Sequence, residues 1–176
     1  MATDMNGWPR LPRTARRVAW GIARVAIVTA FVGDMILKFV AQRFLLVGDR
    51  CALETAAGLV GFVPSVNSVF AFSLPVPNAY IWPLGWVIVA FLVRALFRSA
   101  PPRQFAVLAV LFGAVSNLTE RTFLGGVTDY LALTNLFPAF NIADVLVMVG
   151  VAMWLSTSRS AATASVPVAS QEERQQ

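Results

Sequence analysis

The chain has no histidine, one cysteine (Cys51) and one lysine (Lys38) among its 176 residues, and only 13% of them are charged. Without imidazole there is no Ser-His-Asp or Cys-His nucleophile system, and no zinc site built on imidazole or paired thiolates. A lone cysteine closes no internal disulfide, and Cys51 follows Gly-Asp-Arg rather than the small apolar context of a lipid-modified cysteine. Ordinary soluble domains carry about 25% charged residues. The scarcity of charge here, beside 57% hydrophobic residues, marks a membrane protein. Chemistry is left to nine carboxylates, the arginines, Lys38, amides and hydroxyls.

The net charge of +5 raises nucleic acid or anionic lipid as partners, and the placement of the arginines decides between them. Arg10, Arg13, Arg16 and Arg17 precede the first apolar run, and Arg94, Arg98 and Arg103 sit together after the second. This is a topology signal; no nucleic-acid partner is expected. A bilayer is crossed by roughly 20 apolar residues, and four stretches qualify: 18–46, 80–97, 105–118 and 141–155. The expected organisation is a basic cytoplasmic arm at 1–17, a four-span domain over 18–155 and a disordered cytoplasmic tail at 156–176. The positive-inside rule puts both termini in the cytoplasm, with 47–79 and 119–140 on the other side. The first span carries Arg24, Asp34 and Lys38 and is too long for a typical signal-peptide core, so it is read as retained. Tryptophans 8, 20, 82, 86 and 154 lie mostly near span ends, as an interfacial belt does.

The fold class is therefore an all-α membrane protein of four transmembrane helices with two small outward segments. Residues 58–79, β-branched and aromatic but broken by Pro64, Pro75 and Pro77, predict extended or β-like structure. Residues 122–140, with Gly125-Gly126 and Pro138, predict a loop with a short helix.

An ionisable group inside a bilayer costs at least about 2.5–3.5 kcal/mol and is a functional candidate by default. Asp34, Glu120, Asp129, Asp144 and, less deeply, Asp49 lie in or beside the spans or in the last outward loop; Asp4, Glu54, Glu172 and Glu173 lie in tails or an exposed loop. Asp34 and Lys38 stand one helical turn apart and can neutralise each other; alternatively Lys38 meets a substrate phosphate or carbonyl. Asn141 and Asp144 have the spacing of a capping box, as do Asn117 and Glu120, the latter followed by Arg121 as an apparent ion partner. Asp129 has no such local partner. Two carboxylates held close cannot both ionise easily, so one keeps a proton while the other acts as base. Such a pair can activate water against a peptide carbonyl without histidine, cysteine or metal.

In chain order the motifs resemble the lipoprotein signal peptidases (signal peptidase II), four-span membrane aspartic endopeptidases. GDMILKFVA, with Asp34 and Lys38, looks like that family's Asp-x-x-x-Lys, and NSVFAF (67–72) like a worn Asn-x-Gly-Ala-Ala-Phe. GAVSNLTER (113–121) is similar to Gly-x-x-Gly-Asn-x-x-Asp-Arg, and GGVTDY (125–130) to Gly-x-Val-x-Asp-Phe. FPAFNIAD (137–144) matches the Phe-Asn-x-Ala-Asp block.

The resemblance implies that Asp129 and Asp144 are the catalytic dyad. Asn67, Asn117, Arg121 and Asn141 would line the site, with Asp34, Lys38 and Glu120 supporting it. It also implies a prolipoprotein substrate carrying diacylglycerol on a cysteine and cut just before it, with no cofactor and no metal. The expected setting is a monomer among the lipids of a bacterial cell (inner) membrane, its site toward the outer leaflet. Val69, Phe70, Ser116 and Glu120 depart from the family pattern and bear on substrate fit more than on chemistry. Two other classes fit the composition. A non-catalytic binder of lipidated segments would not complement a peptidase-deficient bacterium. A proton-coupled carrier would show acid-driven flux dependent on Asp34, although four spans without an inverted repeat make a poor carrier.

Overall fold

The structure is a computed structural model and describes residues 12–47, 53–54, 60–68, 78–101, 103–133 and 138–164. The elements are α1 (Arg13–Val47), β1 (Leu53–Glu54), β2 (Val60–Asn67), α2 (Asn78–Arg98), α3 (Arg103–Leu124), β3 (Val127–Leu133) and α4 (Ile142–Ala164). Three helical stretches, Arg13–Phe44, Tyr80–Arg98 and Arg103–Leu124, are long and apolar enough to cross a membrane. The apolar part of α4, Ile142–Thr157, coincides with the short fourth span expected at 141–155. At 1.5 Å per residue it reaches about 24 Å, against about 30 Å of hydrocarbon.

Helix α1 shows why a chain so poor in charge folds this way. Val18, Ile22, Val25, Val32, Ile36 and Phe39 recur at helical spacing and are all exposed, an apolar stripe that only lipid would cover. The opposite face buries Asp34, Lys38 and Ala41. Helix α3 is the inner helix: 39% of its apolar window is buried, against 6% for α2, which packs only on α3 among the described elements. Val89 of α2 and Leu111 and Leu118 of α3 form the core of that contact.

Between α3 and α4 the seam is set by two glycines. A Cβ at Gly113 would strike the Ala143 carbonyl and Val147, and one at Gly150 would lie 2.7 Å from the Ala106 carbonyl. Small residues let the backbones approach, as membrane helices require where hydrophobic attraction is weak. The close approach at Gly113 brings the start of α4 against α3, beside Asn117.

Several boundaries differ from the expectations. The basic arm is helical from Arg13, and residues 1–11 lie outside those described. Helix α3 runs past 118 to Leu124, and along this stretch Thr119 and Thr122 satisfy their hydroxyls on the carbonyls of Val115 and Leu118, both at 2.7 Å, so neither side chain competes for a non-helical backbone. Gly125, at φ 74°, then turns the chain. Helix α4 continues over 156–164, within the segment expected to be disordered. Ser156 and Thr157 cap carbonyls of Met153 and Trp154 there. Residues 165–176, and Asp49, Val69 and Phe70, lie outside the described residues.

The outward segments carry the clearest correction. The first contains the extended β2, as expected, but 122–140, expected to be a loop with a short helix, holds a strand. It supplies the last turn of α3 and then β3, which completes a three-stranded antiparallel sheet in the order β1-β2-β3. Val-Thr-Asp-Tyr-Leu is β-prone, and a paired edge outweighs the flanking Gly125-Gly126 and Pro138. In the register Phe62 faces Leu131 and Ser65 faces Asp129, so Val63 and Pro64 together oppose Tyr130 in a bulge. Pro64 has no N–H to give the ladder. Tyr130 N and Leu131 N instead both donate to Phe140 O, at 3.1 and 2.9 Å, tying β3 to the chain two residues before α4.

Candidate active site

That tie places Asp129 beside the start of α4. The first amides of a helix have no partner within it, and here four consecutive ones are satisfied by different groups. Asn141 N donates to Asp144 Oδ2 (3.2 Å) and Asp144 N to Asn141 Oδ1 (3.0 Å), the capping box predicted from spacing. Ile142 N donates to Tyr130 OH (3.2 Å) and Ala143 N to Asp34 Oδ1 (3.1 Å), so β3 and α1 cap α4 as well.

The box leaves Asn141 one free arm. Its Oδ1 is taken by a backbone N–H, so its amide nitrogen must point away, and it donates to Asp129 Oδ1 at 2.7 Å. One buried residue therefore touches both aspartates. The other Asp129 oxygen accepts Asn67 Nδ2 at 3.2 Å; Asn67 pairs with Val127, two residues from Asp129 on the same face. Asp144 Oδ1 accepts Asn117 Nδ2 at 2.7 Å, and Lys38 fixes that amide's orientation by donating to Asn117 Oδ1 at 2.6 Å. Asp129 is buried and Asp144 half-buried. Arg121 interacts electrostatically with Asp129, Asp144 and Glu120.

Lys38, 1% exposed, is the hub of a second group. Its ammonium lies 2.9 Å from Glu120 Oε2, 3.3 Å from Asp34 Oδ2 and 3.0 Å from Ser116 Oγ. The Asp34–Lys38 pair is thus one side of a larger buried cluster. Asp34, fully buried, also accepts the hydroxyls of Ser116 and Tyr130, the latter at 2.8 Å. Sequence adjacency suggests Arg121 as the partner of Glu120, but the carboxylate turns inward to Lys38, Gln42 Nε2 (2.7 Å) and Thr128 N (3.1 Å). Gln42 also reaches Thr128 Oγ1 at 3.1 Å. Among the described residues no buried side-chain nitrogen or oxygen lacks a hydrogen-bond partner.

All nine residues singled out from sequence, Asp34, Lys38, Asn67, Asn117, Glu120, Arg121, Asp129, Asn141 and Asp144, thus belong to one connected neighbourhood. Sequence reasoning missed Gln42, Ser116, Thr128 and Tyr130, whose partners are far away in the chain. Ser116 stood out only as a departure from glycine.

Burial pushes the Asp129 carboxyl up from the ordinary 3.8 to about 6, and the Asp144 charge adds to it. The amides of Asn67 and Asn141, and Lys38 at longer range, pull the other way. Burial likewise raises the Tyr130 phenol well above its usual range. The site therefore sets a buried carboxyl raised toward neutrality, Asp129, near a more exposed one, Asp144, in the first turn of α4. Among the described residues no three metal-donor side chains gather in a metal-holding arrangement.

A family model described as signal peptidase (SPase) II matches residues 26–159. A lipoprotein signal peptidase of Brevibacillus brevis is 41% identical over 141 residues, covering 77% of this chain and 92% of that protein. One from Cupriavidus necator is 34% identical over 128 residues, covering 66% and 71%. A solved structure titled as a bacterial membrane enzyme determined by the in meso method at 2.3 Å has the same fold. Its TM-score is 0.71 at 19% identity, over 83% of this chain and 92% of that one.

Proposed function

Because the chain belongs to the signal peptidase II family, a bacterial membrane protease removing signal peptides from prolipoproteins, we propose that it does so with Asp129 and Asp144 as an aspartic dyad. The observation that carries this reading is Asn141, hydrogen-bonded to both carboxyl groups at the start of α4. Water between them gives a proton to Asp144, and the hydroxide adds to the scissile carbonyl carbon. Asp129, protonated, donates to the carbonyl oxygen as charge develops there. When the tetrahedral adduct collapses, the C–N bond breaks. The leaving amine takes the proton held by Asp144, and Asp129 recovers its own. Asp144 suits the base because it sits in the first turn of α4, where the helix dipole favours negative charge; Asp129 suits the acid because it is the more buried.

The proposed substrate carries diacylglycerol on a cysteine and is cut just before it. The apolar exterior of α1 and α2 keeps the enzyme in the lipid that holds such a substrate. Arg103 stacks over Trp154, so the start of α3 and the end of α4 share a basic end, while the aspartates occupy the other end of both helices. With the positive-inside rule this supports cytoplasmic termini and a site toward the outer leaflet.

The test is release of signal peptide from a lipid-modified prolipoprotein by Asp129→Asn and Asp144→Asn, with membrane levels of each variant measured in parallel. Both are expected to accumulate and to lose cleavage. An undiminished rate in either would overturn the dyad.

A further inference from the structure

Tyr130 sits between the two aspartates in a way the dyad does not by itself require. It follows Asp129 on β3, yet its hydroxyl accepts Ile142 N, two residues before Asp144, and donates to Asp34 Oδ1. Asp34 in turn holds Ala143 N through the same oxygen, while Ser116 Oγ donates to its other oxygen. Tyr130, Asp34 and Ser116 are each fully buried. The hydroxyls of Tyr130 and Ser116 meet on Asp34, one on each carboxylate oxygen.

We infer that Tyr130 and Ser116 are positioning residues that act through Asp34 to hold the turn carrying Asp144 in register with Asp129. A carboxylate in a buried site can swing about its side-chain bonds. With one oxygen taken by Tyr130 and Ala143 N and the other by Ser116 and Lys38, Asp34 has no alternative orientation that keeps its bonds. Tyr130 fastens the preceding amide at Ile142, so two consecutive amides of the Asp144 turn are held from outside α4. Misplacing reacting groups by about 1 Å can cost 10²-fold, and a hydroxyl pair at this remove lies below that limit. The inference rests on the dyad reading.

The experiment uses the full chain purified into lipid, with a lipid-modified prolipoprotein as substrate and kcat, KM and the pH profile as readouts. Tyr130→Phe and Ser116→Ala are each expected to lower kcat about tenfold, the cost of one hydrogen bond, with KM within about twofold. A loss of folded enzyme would lower the rate without moving its pH dependence. A loosened Asp144 turn weakens that group's push on Asp129, which also feels Lys38 from α1 and Arg121 from α3. The alkaline limb of kcat/KM is therefore expected to move to lower pH in both variants. Unchanged kcat, or a fall in kcat with an unmoved limb, overturns the inference. Asp129→Asn assayed alongside separates the two levels. If it is inactive while Tyr130→Phe behaves as wild type, only the positioning role fails; if it is active, the dyad reading fails.

Discussion

Four buried or half-buried acids lie within one network, yet they are held in two different ways. Asp34 and Glu120 share the Lys38 ammonium, and their remaining oxygens are occupied by hydroxyls, an amide side chain and backbone N–H groups. Asp129 and Asp144 are fixed by hydrogen bonds from asparagine amides and a backbone N–H. The first two are fixed against a cation, whereas the second two are held by neutral donors, and of these Asp129 is raised to about 6 by burial and the Asp144 charge. On the proposed reading the cluster around Lys38 supports the fold, and the pair bracketed by Asn141 carries the chemistry.

Neutral substitutions break this contrast most sharply. Asp144→Asn is expected to reduce cleavage by about 10³-fold or more, the scale of general acid–base catalysis, while the protein still accumulates. Lys38→Met should do the reverse and strike the fold first. It leaves two buried carboxylates without their cation, at about 3–5 kcal/mol, and is expected to lower the thermal unfolding midpoint and the amount of protein in the membrane. Normal accumulation of Lys38→Met together with loss of Asp144→Asn from the membrane would exchange the two roles.

Asn141→Ala belongs to both regions and sharpens the comparison. It removes a helix cap worth about 0.5–2 kcal/mol and the bond that aims Asp129. The expected result is a modest fall in unfolding midpoint beside a loss of about 10²-fold in kcat. A stability loss without a comparable rate loss would make Asn141 only a cap.

How much of this was legible in the sequence follows from distance along the chain. The Asn141–Asp144 box and the Asp34–Lys38 pair span three and four residues, and helical geometry alone brings such neighbours together. Glu120 was matched to Arg121 by adjacency, but consecutive helical side chains diverge, and the partner across the bundle is Lys38. Ser116 and Tyr130 find Asp34 over separations of 82 and 96 residues. No local pattern reports such contacts. Strand β3 was hidden because its neighbours Gly125-Gly126 and Pro138 signal a loop, whereas its pairing with β2 is a tertiary fact. The ordered family motifs pointed to one neighbourhood without saying which atoms meet.

The smallest expected effect is a shift of pH dependence. Asp129 as acid must be protonated, and burial and Asp144 raise it to about 6, so kcat/KM should fall as pH rises through that value. The Asn67 amide bonds to Asp129 Oδ2 and opposes the rise. Asn67→Ala removes a donor that favours the charged form, so the alkaline limb is expected to move to higher pH, by less than about one unit. The same group bears on folding with a definite sign. Its native value lies above its unfolded one, so the stability it contributes is complete below the ordinary 3.8 and is lost as pH rises through about 6. In Asn67→Ala that loss should extend to higher pH, in step with the activity limb. Unfolding midpoints and rates measured over the same pH series check both. Gln42→Ala, which removes a donor to Glu120 and none to Asp34, Asp129 or Asp144, should leave the limb where it is.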